Sequence, residues 1–148
     1  MSLLRAAGTP EPVVAHCRAV AEKALRLADR AEEVGAAPNR ENLYAAALLH
    51  DVARTEPGHA AVGAAWLRTL GYPEIAEIIA RHHDWEGEEI DDAALLFLAD
   101  KYLQGDREVT LSERFALSRA RCTTPEALQA HGRRLEAAER IENTLNRS

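Results

Sequence analysis

Little in this chain speaks for sheets, disulfides, membrane spans or nucleic acid. Only 5% of its 148 residues are aromatic, and runs of β-branched residues are nearly absent, so the alanine and leucine that dominate favour helices. Its two cysteines, Cys17 and Cys122, form no metal-type Cys-x-x-Cys pair. A chain of this length hides roughly 70% of the surface of its unfolded form and needs no disulfide to fold. Positive charge is in deficit: 18 Lys and Arg stand against 24 Asp and Glu, a net charge of -6 with pI ≈ 5.5. That balance disfavours a broad grip on nucleic acid or anionic membrane, while a small phosphorylated substrate stays compatible, because one pocket can oppose the net charge. The most apolar windows, Ala45 to Leu49 and Ala93 to Ala99, fall far short of the roughly 20 residues a membrane span needs. MSLLRAAGTPEP at the start lacks the apolar core of a signal peptide, so the expected compartment is the cytoplasm, with reduced thiols.

What is there reads as one all-α domain over 1–148, with a core over about 12–115 and a covering helix over about 125–146. Thr9-Pro10-Glu11 and Thr124-Pro125-Glu126 each place an N-cap before a proline and an acid. Asn39 caps another helix, and Gly35, Gly71 and Gly105 sit where helix C-termini are expected. The spacing predicts helices over about 10–34, 40–53, 58–70, 74–83, 90–104 and 125–146, with a short one near 111–119. In the first, Val13, Cys17, Val20, Ala24 and Leu27 share one face, the expected core face. Glu86 to Asp92 reads as an exposed acidic loop. The last helix, rich in Arg and Glu, reads as a solvated cover, and His131 within it as solvated.

Five of the six histidines, His16, His50, His59, His82 and His83, fall within the first 83 residues. His50-Asp51 ends the apolar run Ala45 to Leu49, where an ionisable pair is costly to bury without a partner, and a metal ion is the simplest one. Asp100 ends the run Ala93 to Ala99, and His16 stands between Val13 and Val20. Imidazole with carboxylate suits Mn, Fe, Co, Ni or Zn, with Mg also admissible, and is the set that metal-assisted hydrolysis uses. Cys17 reads as a buried thiol, and Trp85 as a pocket wall, a base-stacking group or a rim residue packing its helix.

In this order the residues resemble the HD-domain metal-dependent phosphohydrolases, whose pattern is His, then His-Asp, then a distant Asp: here His16, His50-Asp51 and Asp100. ALLHDVAR at 47–54 is similar to the family's apolar helix ending in His-Asp with a basic residue three positions on. HAAVGAAWLRTLGYPEIAEIIARHHDW at 59–85 is similar to its His-x-x-x-Gly-Ala and Ile-x-x-His-His elements. LFLADKYLQGDR at 96–107 resembles its strand-free Ala-Asp-Lys element. Gly71-Tyr72-Pro73 precedes His82-His83 and reads as a turn rather than a family signature.

The resemblance implies a five-helix core with a C-terminal covering helix. It implies that His16, His50, Asp51 and Asp100 hold one divalent ion, and that Asp51, on which catalysis turns, bridges to a second held by His59 and by His82, His83 or both. One or two ions per chain are thus expected. It further implies that Arg54 binds substrate phosphate, with Lys101 and Arg107 as further candidates. The general acid is unassigned, with His82 or His83 the best candidate where one of them is not a ligand. The expected function is hydrolysis of a nucleotide or other small phosphorylated metabolite by a metal-activated water. The alternatives are a metal- and nucleotide-binding regulatory module or subunit without turnover, and a di-iron oxygenase. A homodimer is compatible with all of these.

Overall fold

The computed structural model describes residues 11–51, 59–82, 85 and 87–146, the side chains of 59–63 excepted. Among these, seven helices and one small hairpin follow in order: α1 (Glu11–Glu33), α2 (Arg40–Leu49), α3 (His59–Thr69), α4 (Pro73–His82), α5 (Asp92–Lys101), β1 (Leu103–Gln104), β2 (Arg107–Glu108), α6 (Leu111–Arg119) and α7 (Pro125–Leu145). The all-α bundle expected from composition is therefore the fold.

α5 is its axis. Every residue from Ala93 to Ala99 is buried, and a helix apolar all round is stable only when enclosed. α1, α2, α4 and α7 pack around it. α1 buries Val14, Cys17, Val20, Ala21, Ala24, Leu27, Ala28 and Ala31, spaced by three and four. Val13 stands at the edge of that face, half-buried, and lines a cavity described below.

Local chemistry sets the helix ends. Asn39 accepts from the Asn42 amide, Asp91 from Ala94, and Thr124 from Ala127 with Pro125 next to it, each satisfying an amide that the helix leaves unpaired. Asp91 shortens α5 relative to the expected 90–104, and it also accepts from the Trp85 indole, 3.2 Å away. Trp85 is thereby buried as packing, with Arg140 over its ring, and does not line the cavity. Gly35 and Gly71 follow helices at φ 91, as expected. Gly105 does not end a helix. α5 stops at Lys101, and Gly105-Asp106 turns an antiparallel pair in which Leu103 faces Glu108 and Gln104 faces Arg107. A φ of 65 at Gly105 suits the first central position of such a two-residue turn. The element expected to be strand-free thus carries a hairpin. Lys23 of α1 binds Glu108 and holds that hairpin against the bundle.

α7 covers the bundle, but it is not solvated all round: Ala137, Ala138, Ile141 and Leu145 are buried, and Tyr102 donates to Glu142. His131, expected in solvent, is buried too. Its Nε2 lies 2.9 Å from the Phe115 carbonyl oxygen and 2.8 Å from Ser118 Oγ, so one N–H is shared between two acceptors on α6. Replacing His131 with alanine removes that clip and leaves a void. The expected loss is about 2 kcal/mol, a fall in Tm of roughly 4–8 °C with bound metal unchanged, and a Tm within 1 °C of the parent would contradict it.

Candidate metal centre

Three helices end at one place. His50 caps the C-terminus of α2 and Asp51 follows it, His82 is the last residue of α4, and Asp100 lies in the last turn of α5. Helix C-termini carry partial negative charge, so acids there are out of place unless something positive compensates them. His16 approaches from the second turn of α1.

Each of the three histidines has its Nδ1 committed to a backbone carbonyl. His50 donates to Ala47 over 2.7 Å and His82 to Ile79 over 2.5 Å, both using carbonyls that a helix end leaves free. His16 donates to Gly105 over 2.6 Å, so the hairpin turn missed from the sequence is what fixes the first histidine. With Nδ1 bonded to a carbonyl in each ring, Nε2 is the nitrogen left to face the cluster, the arrangement that orients an imidazole toward a metal.

Those nitrogens meet carboxylates. His16 Nε2 is 3.0 Å from Asp100 Oδ1 and 3.8 Å from Asp51 Oδ2, and His50 Nε2 is 3.4 Å from both carboxylates. The ligand atoms of His16, His50 and Asp51 lie within 4.8 Å of one another, as do those of His50, His82 and Asp100. The His50 ring stands 5.3 Å from that of His16 and 5.2 Å from that of His82. The cluster is thus three imidazoles and two carboxylates brought together, with His16 Nε2 hydrogen-bonded to Asp100.

Such a set fits a divalent cation. His50 Nε2 is buried without a hydrogen-bond partner, a costly state for a ring nitrogen that coordination would end. Spacings of 3.0–3.8 Å between the nearest ligand atoms match the edges of a coordination shell with bonds of roughly 2.1 Å. Protons take the cation's part in its absence. Burial opposes charge on His50, but Asp100 and Asp51 overcome it and hold the imidazole well above its ordinary range. Burial would raise Asp100, yet His16 and His50 keep it well below the usual carboxylate range. His82, buried and next to His50, is lowered to about 4 and is neutral near pH 7. A neutral ring with Nδ1 bonded to Ile79 has its Nε2 available to a cation.

A cavity of about 280 Å³ opens on the cluster and is lined by His16, Asp51, His82, Asp100 and Lys101, with Leu103, Gln104 and Gly105 of the hairpin. Lys101 Nζ lies 3.8 Å from Asp100 Oδ2 and over the Phe97 ring. Arg107 is exposed on β2 and is not among the lining residues. Arg54 and His83 lie outside the described residues, and so does the side chain of His59, which opens α3. Arg114 and Arg121 also line the cavity, and neither was expected from the sequence. No sequence pattern marked them, since α6 ends at Arg119 and Arg121 lies beyond its cap. Cys17 is buried beside His50, as the spacing predicts.

A family model described as HD domain matches residues 13–105, more than half of the chain. An uncharacterised protein of Methanocaldococcus jannaschii is 37% identical over 108 residues, which cover 70% of this chain and 62% of that protein. The chain thus spans less than two thirds of the length of this curated relative. No solved structure matches it. Among the described residues, no helix is long and apolar enough to cross a membrane.

Proposed function

The chain belongs to the HD domain family, and on that footing we propose that it is a metal-dependent phosphohydrolase acting on a nucleotide or other small phosphorylated metabolite. The observation that carries this reading is the convergence of three histidines and two carboxylates, with His50 Nε2 buried and unpartnered among them, at an open cavity that His16, Asp51, His82 and Asp100 line.

His16, His50, Asp51 and Asp100 would hold a divalent ion, with His82 completing the shell, and His59 and His83 are proposed ligands of a second. A divalent ion there supplies two things that phosphate hydrolysis needs: a water acidified toward about pH 7 and positive charge against the phosphoryl oxygens. The chain's own groups do the rest. The Nδ1 bonds to Ala47, Ile79 and Gly105 hold the three rings in one tautomer, so little reorganisation is required when a ligand arrives. Asp51 and Asp100 supply the negative charge that selects a cation. Lys101 presents an ammonium to the cavity and is placed to take a phosphoryl oxygen, with Arg54 proposed for the same task and Arg107 less well placed. No group among the described residues is assigned the leaving-group proton.

The test is elemental analysis of protein purified without chelator, run beside phosphate release from a nucleotide and phosphomonoester panel with Mn, Fe, Co, Ni, Zn and Mg. One or two ions per chain with release of phosphate are expected. A protein that takes up no metal under any loading condition removes the proposal at its base, and metal without turnover on the whole panel removes its hydrolytic half.

A further inference from the structure

Arg114 and Arg121 sit outside the segment that matches the family, yet they line the same cavity as the histidines. Arg114 lies on α6, which is held near both ends, and Arg121 follows its C-terminus. Thr110 and Glu113 form a reciprocal cap on the first turn of α6, and His131 of α7 binds Phe115 and Ser118 further along. Arg121 lies two residues past the last residue of α6, and both arginines line the same cavity. The Nε of Arg114 is buried without a hydrogen-bond partner, and the Arg121 side chain has no ion pair or hydrogen bond among the described residues. A sheltered guanidinium donor left unpaired beside a cavity is costly unless a ligand meets it, and the planar fork of arginine suits phosphate or carboxylate.

Charge points the same way. Among the described residues, Lys101 faces Asp100, and Arg114 and Arg121 add two further cations to the lining of the same cavity. We propose that Arg114 and Arg121 bind a second anionic group of the substrate, a further phosphate or a carboxylate, distinct from the phosphoryl group that the histidine and carboxylate floor receives. The inference rests on the hydrolase reading only for that first phosphoryl group.

Calorimetric titration of the metal-loaded protein with three probes tests it: methyl phosphate, phosphoglycolate and adenosine diphosphate. At least one of the two doubly anionic probes is expected to bind about tenfold more tightly than methyl phosphate, in line with one added charge-assisted contact. Whichever does so identifies the second group as carboxylate or phosphate. Arg114→Gln and Arg121→Gln should each cut that advantage to less than about threefold and move methyl phosphate affinity less than twofold. Arg114→Lys, which keeps the charge and loses the fork, should fall between, and Arg133→Gln on the exposed face of α7 should change nothing. Equal affinity for all three probes in the parent overturns the proposal, and so does a glutamine variant that weakens methyl phosphate as much as the others. Failure of the hydrolase reading looks different: no phosphate is released from any probe while the binding pattern stands.

Discussion

Asp51→Ala is expected to remove the bound ion, abolish phosphate release and erase metal-dependent stabilisation together. Asp51 Oδ2 lies within 3.8 Å of His16 Nε2 and 3.4 Å of His50 Nε2, so it faces two candidate ligand histidines from the end of α2. Without it the site offers one carboxylate, and the field that draws a divalent cation to three converging helix ends is halved. Turnover should fall by about a thousandfold or more, since both the acidified water and the charge facing the phosphoryl group are lost at once. The parent at a thousand times its metal dissociation constant gains about 4 kcal/mol, roughly 8–16 °C in Tm for a chain of this size, and the variant should gain less than about 2 °C. Folding itself should survive, because Asp51 faces the cavity and not the apolar axis of α5. Stoichiometric metal in a folded Asp51→Ala protein, with activity within tenfold of the parent, would sink the centre described here.

Why that site could be read from the chain before any coordinates is a matter of local contrast. His50-Asp51 and Asp100 each close a run of apolar residues, and a charge at the end of a buried helix needs a partner from elsewhere in the fold. His16 shares the register of an apolar face and is thereby committed to the interior. The helix ends were legible for the same kind of reason, since Asn39, Thr124, Gly35 and Gly71 act on amides and carbonyls within a few residues of themselves.

The hairpin was missed although Gly105-Asp106 is a turn signal, because strands of two residues leave no alternating pattern and the helical period of α5 ran up to them. His131 and Trp85 were misjudged or left open for a different reason. Their partners, Phe115 and Ser118 for one and Asp91 and Arg140 for the other, are set by how α6, α7 and the loop before α5 pack. The same holds for Arg114 and Arg121, whose meaning comes from the cavity they share with α1, α4 and α5. The convergence of the candidate ligands was therefore legible in short-range contrast, and the rest of the cavity lining only in long-range packing.

Titration of the same groups gives the second large effect: the metal-free protein should be most stable near pH 6.5, and metal should reverse the alkaline side of that curve. Three linked terms set the shape. His82 is held at about 4 by burial and by His50, so the stability it lends is complete above the unfolded value of 6.5 and is lost as pH falls toward 4. A shift of that size corresponds to on the order of 3 kcal/mol. His50 is shifted the other way, since Asp100 and Asp51 outweigh its burial, so its contribution is complete below 6.5 and is lost as pH rises through its folded value. Asp100, kept low by His16 and His50 against its burial, adds stability above the unfolded carboxylate range and gives it up only in stronger acid. To serve as a ligand, His50 must release the proton it holds when metal-free, so metal binding should expel protons and tighten as pH rises. Denaturant titrations from pH 4.5 to 9 should then show metal-free stability falling above 6.5 while the metal-loaded protein gains over the same window. Calorimetry in two buffers of different ionisation enthalpy should count a released proton at pH 7. Metal affinity that does not change between pH 6 and 8, or metal-free stability that keeps rising through pH 8, would mean that His50 holds no proton for the metal to displace. The centre would then owe its cation to the two carboxylates alone.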